Sequence, residues 1–154
     1  QLEKNKHHVL GHNSRLDTLQ AVVLSVKLKK LDIWNEERRK LAKIYEKLLS
    51  GLPVVLPHKL DGSYIQNYHL YVIRVPQRDK LLEFLKNNGV FAGVHYPIPV
   101  HLQKSLKHLQ YRRGHFPIAE AYAKEIISLP MFPGLKKKEV KYICSLIRKF
   151  IKEK

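Results

Sequence analysis

Apolar residues along this chain recur mostly in steps of three and four, with one short run that follows the alternating rhythm of a strand. Leu16, Leu19, Val23 and Val26 share a helical face that Lys30 continues, while Leu24, Leu28 and Leu31 add a second apolar row. A helix apolar on two sides is expected to pack against more than one neighbour. Asp32 is placed to cap a second helix with Trp34, Leu41, Ile44, Tyr45 and Leu48 on its dry side and Glu36 to Lys40 on its wet side. Ser50-Gly51 is the stop signal, with Pro53 just beyond.

Residues 54–66 carry prolines, Asp61-Gly62 and a serine and read as a loop, with a short extended piece at Val54-Val55. Tyr68 to Val75 is rich in β-branched and aromatic residues and predicts a strand. Asp79 is placed to cap a short helix through Leu81, Leu82 and Leu85 that stops at Asn88-Gly89. A second strand is expected over Val90 to Tyr96, then a short helix or irregular turn over His101 to His108. Pro117 suits the first position of a helix with Ile118, Ala119, Tyr122, Ala123 and Ile126 on one face. Ser128 to Gly134 reads as a loop, and a closing helix from Lys137 carries Val140, Ile143, Cys144, Ile147 and Phe150. The order of elements predicts an α/β or α+β domain with a small sheet covered by helices.

Composition changes this picture little. With 154 residues, 44% of them hydrophobic, the chain has material for one modest core. It opens on Gln1, which places the natural start upstream, and Gln1 to His8 has no apolar core of a signal sequence. Charged residues interrupt every apolar run, so no membrane span is expected and a cytoplasmic setting fits best. The single Cys144 lies on an apolar stripe and reads as a buried, reduced thiol. A net charge of +16 raises nucleic acid as a partner, and a basic nucleic-acid-binding module is the alternative function. The lysines are scattered over every helix without interleaved aromatic residues, which argues against that partner.

The nine histidines form no His-x-x-x-His or Glu-x-x-His pair with a carboxylate partner on a predicted helix, so no metal site is expected. No glycine-rich phosphate loop is present. Two segments carry candidate chemistry. At Gly11-His12-Asn13-Ser14-Arg15 an amide, a hydroxyl and a guanidinium precede a helix, a place that favours an anion. On pattern alone, Asn13 or Ser14 as a plain helix cap and Arg15 paired with Asp17 is the better fit. At Val94-His95-Tyr96-Pro97-Ile98-Pro99-Val100-His101 a strand end carries a His-Tyr pair stiffened by prolines, suited equally to lining a ligand pocket or to closing a strand at the surface.

These segments also carry a resemblance. Gly11 to Ala21 is similar to the G-x-N-x-R-(L/M)-(D/T)-x-(L/I)-Q-A segment of the DegT/DnrJ/EryC1/StrS aminotransferases, and Trp34 to Arg39 with Ala42 and Tyr45 resembles their W-N-x-x-R-R-x-x-A-x-x-Y helix. Tyr68 to Arg74 with Arg78-Asp79, Val94 to Gln103, Phe116-Pro117-Ile118-Ala119-Glu120, Ser128-Leu129-Pro130 and Pro133 follow the same family's order. Lys136-Lys137-Lys138 departs from it, placing cations where the helix dipole favours acids.

The resemblance implies the aspartate-aminotransferase type of fold, with residues 1–51 as a helical segment leading into a C-terminal small domain at 52–154. It implies a pyridoxal-phosphate enzyme that moves an amino group from an amino acid, usually glutamate, to a keto group of a nucleotide-linked deoxysugar. It further implies a homodimer in which Asn13 reaches the phosphate of the partner subunit's cofactor, with Arg15 holding that loop. His95 and Tyr96 are implied to line the sugar or nucleotide pocket, with His101 beside them. The family's Schiff-base lysine belongs to a segment before Gly11 to Ala21, so no catalytic residue is assigned in this chain, which is expected to be inactive alone.

Overall fold

The computed structural model describes residues 16–58 and 61–153. Internal contacts divide the chain into two compact units, Gln1–Asp32 and Ile33–Lys154. In the first, α1 spans Thr18–Leu28 and buries none of its residues. Leu19, Val22, Val23, Leu24, Val26 and Leu28 all stay more than half exposed, as a helix apolar on more than one side requires when no neighbour covers it. Only Lys29 and Lys30 separate it from α2, Leu31–Leu49. Asp32 therefore sits in the first turn of α2 rather than capping it.

The second unit is built on helical stripes closing over a small antiparallel sheet. Leu41, Ala42, Tyr45 and Leu49 are the buried residues of α2, and Gly51, at φ 78°, turns the chain away after it. The strand β1, Tyr71–Arg74, alternates buried and half-buried residues. It begins later than the pattern predicts, because the Asn67 side chain accepts the His69 N–H at 3.0 Å and Tyr68 turns to φ 51°. The helix α3 covers Arg78–Asn87 and stops at Gly89, where the Val90 N–H reaches back to the Leu85 carbonyl at 2.9 Å. Asp79 lies inside its first turn and accepts from Arg78 Nε at 2.6 Å instead of capping.

The expected strand over Val90 to Tyr96 does not form. β2 is instead Ile126–Leu129, directly after α4, Pro117–Glu125, and pairs with β1 in the register Tyr71 to Leu129 and Arg74 to Ile126. Through its backbone, Val90 to Tyr96 meets the sheet only at Gly93, whose N–H and carbonyl bond Ser128 at 2.9 and 2.8 Å. Phe91, beside it, is 78% exposed, so the run lacks the packing that extends a ladder. A second single bridge, Val55 to Arg74, lies against β1. Between Gly93 and α4 the chain passes through two 3₁₀ turns, Val100–Leu102 and Lys104–Leu109.

The closing helix α5, Lys137–Lys152, buries Val140, Ile143, Cys144, Leu146 and Ile147. Glu139 accepts the Lys136 N–H at 2.7 Å and so places one carboxylate at the lysine-rich start of the helix. Tyr45 and Tyr71 stack at 4.8 Å in the core, and the Tyr45 hydroxyl donates to the Pro130 carbonyl at 2.9 Å. Arg74 donates twice to Glu125, at 3.0 and 2.8 Å, and lies 4.0 Å over the Tyr122 ring, joining β1 to the end of α4. No helix among the described residues is long and apolar enough to cross a membrane.

Candidate functional site

The sheet edge at Gly93 decides where the His-Tyr segment goes. Two backbone bonds hold Gly93 on Ser128, and two residues later the His95 ring reaches the same serine, its Nδ1 2.8 Å from Ser128 Oγ. Ser128 is buried, so its hydroxyl needs this partner, and which of the two donates depends on the ring tautomer. His95 thereby commits one ring nitrogen, Nδ1, to the fold.

Tyr96 follows in the left-handed region, at φ 61°, with its side chain 82% exposed. For a bulky residue this backbone costs on the order of 1–3 kcal/mol and persists only where the surroundings impose it. Pro97 and Pro99 stiffen the next residues and, with Ile98, Leu102, Arg113 and Glu120, line a cavity of about 420 Å³. Its lining mixes apolar side chains with three charged ones, Arg113, Glu120 and Lys124.

His101 behaves differently from its neighbours. Its side chain is 8% exposed, its Nε2 lies 3.1 Å from Glu120 Oε1, and its ring stands 4.8 Å from that of Phe116. It faces the first turn of α4 rather than solvent. Burial pushes the Glu120 carboxyl up, but the Gly114 N–H and the His101 ring outweigh it and hold the group below its ordinary value.

His95 and Tyr96 lead directly into the Pro97–Pro99 segment that lines the cavity, and His101 is tied to Glu120 of the same lining. Asn13 and Arg15 lie outside the described residues. Two residues of this region escaped the pattern of the sequence. Ser128 falls in a stretch that reads as a loop, and Glu120 shows only as the last letter of F-P-x-A-E. Among the described residues no three His, Cys, Asp or Glu side chains cluster as metal ligands.

The model of the DegT/DnrJ/EryC1/StrS aminotransferase family matches residues 1–148. A pleiotropic regulatory protein of Geobacillus stearothermophilus is 49% identical over 150 residues, covering 96% of this chain and 40% of its own length. A UDP-N-acetyl-3-dehydro-alpha-D-glucosamine 3-aminotransferase of Acidithiobacillus ferrooxidans is 38% identical over 143 residues, 93% of this chain and 38% of its own. Among solved structures, DesV of Streptomyces venezuelae superposes with a TM-score of 0.89 at 35% identity, covering 97% of this chain and 40% of that one. The chain spans about two fifths of the length of the relatives it matches. Over nearly all of its residues, in motif order and in fold, this chain belongs to the DegT/DnrJ/EryC1/StrS aminotransferase family.

Proposed function

We propose that this chain is the C-terminal part of a pyridoxal-phosphate-dependent aminotransferase that moves an amino group from an amino acid, glutamate by the family pattern, to a keto group of a nucleotide-linked deoxysugar. The observation that carries this reading is the exposed His95–Tyr96 wall, anchored on Ser128 and leading into a cavity-lining segment, in a chain of this family. The wall meets the sugar or nucleotide: Tyr96 offers an apolar ring face and a phenol, and His95 offers a ring nitrogen for a sugar hydroxyl or carbonyl. His101 supports the wall through its tie to Glu120.

For the cofactor, the chemistry of the donors suits the phosphate end alone. Asn13 and Arg15 supply an amide and a guanidinium, groups that bind phosphate well, and in this reading they reach the cofactor of the partner subunit across a homodimer. Once bound, pyridoxal phosphate supplies an electron sink for the carbon that loses its proton. In this reading the chain alone is inactive, because the family's lysine belongs to a segment N-terminal to the Gly11 to Ala21 motif. A cytoplasmic location accords with a nucleotide-sugar substrate.

A second reading is a non-catalytic or regulatory relative, favoured by the 49% identity to a protein named as a pleiotropic regulator. A full-length protein that carries this chain as its C-terminal part separates the two. Asn13→Ala in that protein is expected to weaken retention of pyridoxal phosphate about tenfold, the size of one lost charge-assisted hydrogen bond, measured by cofactor absorbance after dialysis. Unchanged retention removes Asn13 from the site, and absence of a lysine segment N-terminal to the Gly11 to Ala21 motif favours the regulatory reading.

A further inference from the structure

Tyr96 is the strained point of the wall, and little packs against its exposed ring to hold it there. The hold comes along the chain. On one side His95 is fixed to Ser128 on β2, and on the other His101 is fixed to Glu120 on α4, with Pro97 and Pro99 removing slack between them.

The second anchor is a single oxygen. Glu120 Oε1 lies 3.1 Å from His101 Nε2 and accepts the Gly114 N–H at 2.8 Å, so it joins both ends of the excursion from His101 to Gly114. The Glu120 backbone N–H donates to the Phe116 carbonyl at 3.0 Å, and the Phe116 ring stands against both His101, at 4.8 Å, and Tyr111, at 5.2 Å. The excursion is thus closed onto the first turn of α4. Glu120 is 17% exposed and His101 8%, which shields the tie from competing water.

We propose that Glu120 is a positioning residue: by holding His101 and Gly114 on one carboxylate oxygen, it keeps the His95–His101 segment taut and Tyr96 in its left-handed conformation, with the ring turned to solvent. The role matters for catalysis only if the wall meets the nucleotide sugar as proposed above, but its test needs no ligand. A residue at positive φ brings its own amide and α protons close, which gives a strong intraresidue nuclear Overhauser effect.

In the 154-residue chain, Tyr96 is expected to show that signature. Glu120→Ala should shift the ratio of left-handed to extended Tyr96 about tenfold towards extended, the net worth of one ordinary hydrogen bond. Glu120→Gln keeps an oxygen acceptor and should restore most of the signal, and His101→Ala should reproduce the loss. Cross-strand effects between Tyr71 and Leu129 report whether the fold survives. Should Glu120→Ala not fold, Glu120→Asp, with its carboxylate withdrawn by one methylene, is expected to give the same loss. An intact sheet with the Tyr96 signature unchanged in both the alanine and aspartate variants overturns the proposal. Titration with UDP-N-acetylglucosamine is a separate arm: if Tyr96 depends on Glu120 yet no wall resonance shifts with this probe, the substrate-wall reading fails and the positioning role stands.

Discussion

Replacing Tyr45 with alanine is expected to lower the unfolding free energy by about 3–5 kcal/mol, the range for deleting a buried aromatic side chain. Tyr45 is fully buried, stacked at 4.8 Å on Tyr71, and its hydroxyl satisfies the Pro130 carbonyl just after β2. One side chain therefore joins α2, β1 and the segment that leads into α5. The alanine variant loses the apolar burial, opens a cavity against Tyr71 and leaves a carbonyl short of a partner. Tyr45→Phe keeps the stacking and loses only the hydroxyl, so its cost is about 0.5–1.5 kcal/mol. Urea unfolding of both variants checks the pair. Equal losses for phenylalanine and alanine would show that packing is not what Tyr45 contributes.

Raising the pH from 7 to 11 is expected to remove about 5 kcal/mol of stability through three buried groups. Burial pushes the Cys144 thiol up to about 12; burial, reinforced by Cys144 and Tyr71, raises the Tyr45 phenol, and burial, reinforced by Glu46, Tyr68 and Cys144, raises that of Tyr71. All three are neutral when protonated. The folded state holds its protons where the unfolded chain releases them, so stability is full below the ordinary thiol and phenol values and falls as pH rises above them. Lysines losing charge near ~10.4 relieve repulsion on the +16 surface and oppose this trend. Cys144→Val isolates the effect. It fills the same apolar site without titrating, and should lose about 2–3 kcal/mol less than the parent between pH 7 and 11. Denaturant midpoints with the same pH slope in both proteins would contradict the assignment.

What could be read in advance follows from how local each signal is. The dry faces of α2 and α5 were legible because Leu41 and Tyr45, or Val140, Cys144 and Ile147, repeat at the helical period, although in α2 it is Leu49 rather than Leu48 that is fully buried. β2 was not. Ile126 continues the apolar rhythm of α4, and what makes residues 126–129 a strand is pairing with Tyr71–Arg74, more than fifty positions away. Val90 to Tyr96 has strand-like composition, yet only Gly93 reaches the ladder. At the site, the adjacency of His95, Tyr96 and two prolines was visible. Their anchors were not, since Ser128 and Glu120 are brought to the histidines by tertiary folding over 33 and 19 positions.

Amination by a full-length protein that carries this chain as its C-terminal part tests the central claim most directly. With pyridoxal phosphate, glutamate and a nucleotide-linked keto-sugar, it is expected to yield the amino-sugar nucleotide by mass spectrometry. Tyr96→Ala should raise KM for the sugar about tenfold, the loss of one well-packed contact, with little effect on the half-reaction with glutamate. The 154-residue chain alone should give no product. Product formation that is indifferent to Tyr96, or no amination by a full-length protein that carries the lysine and binds the cofactor, would contradict the account.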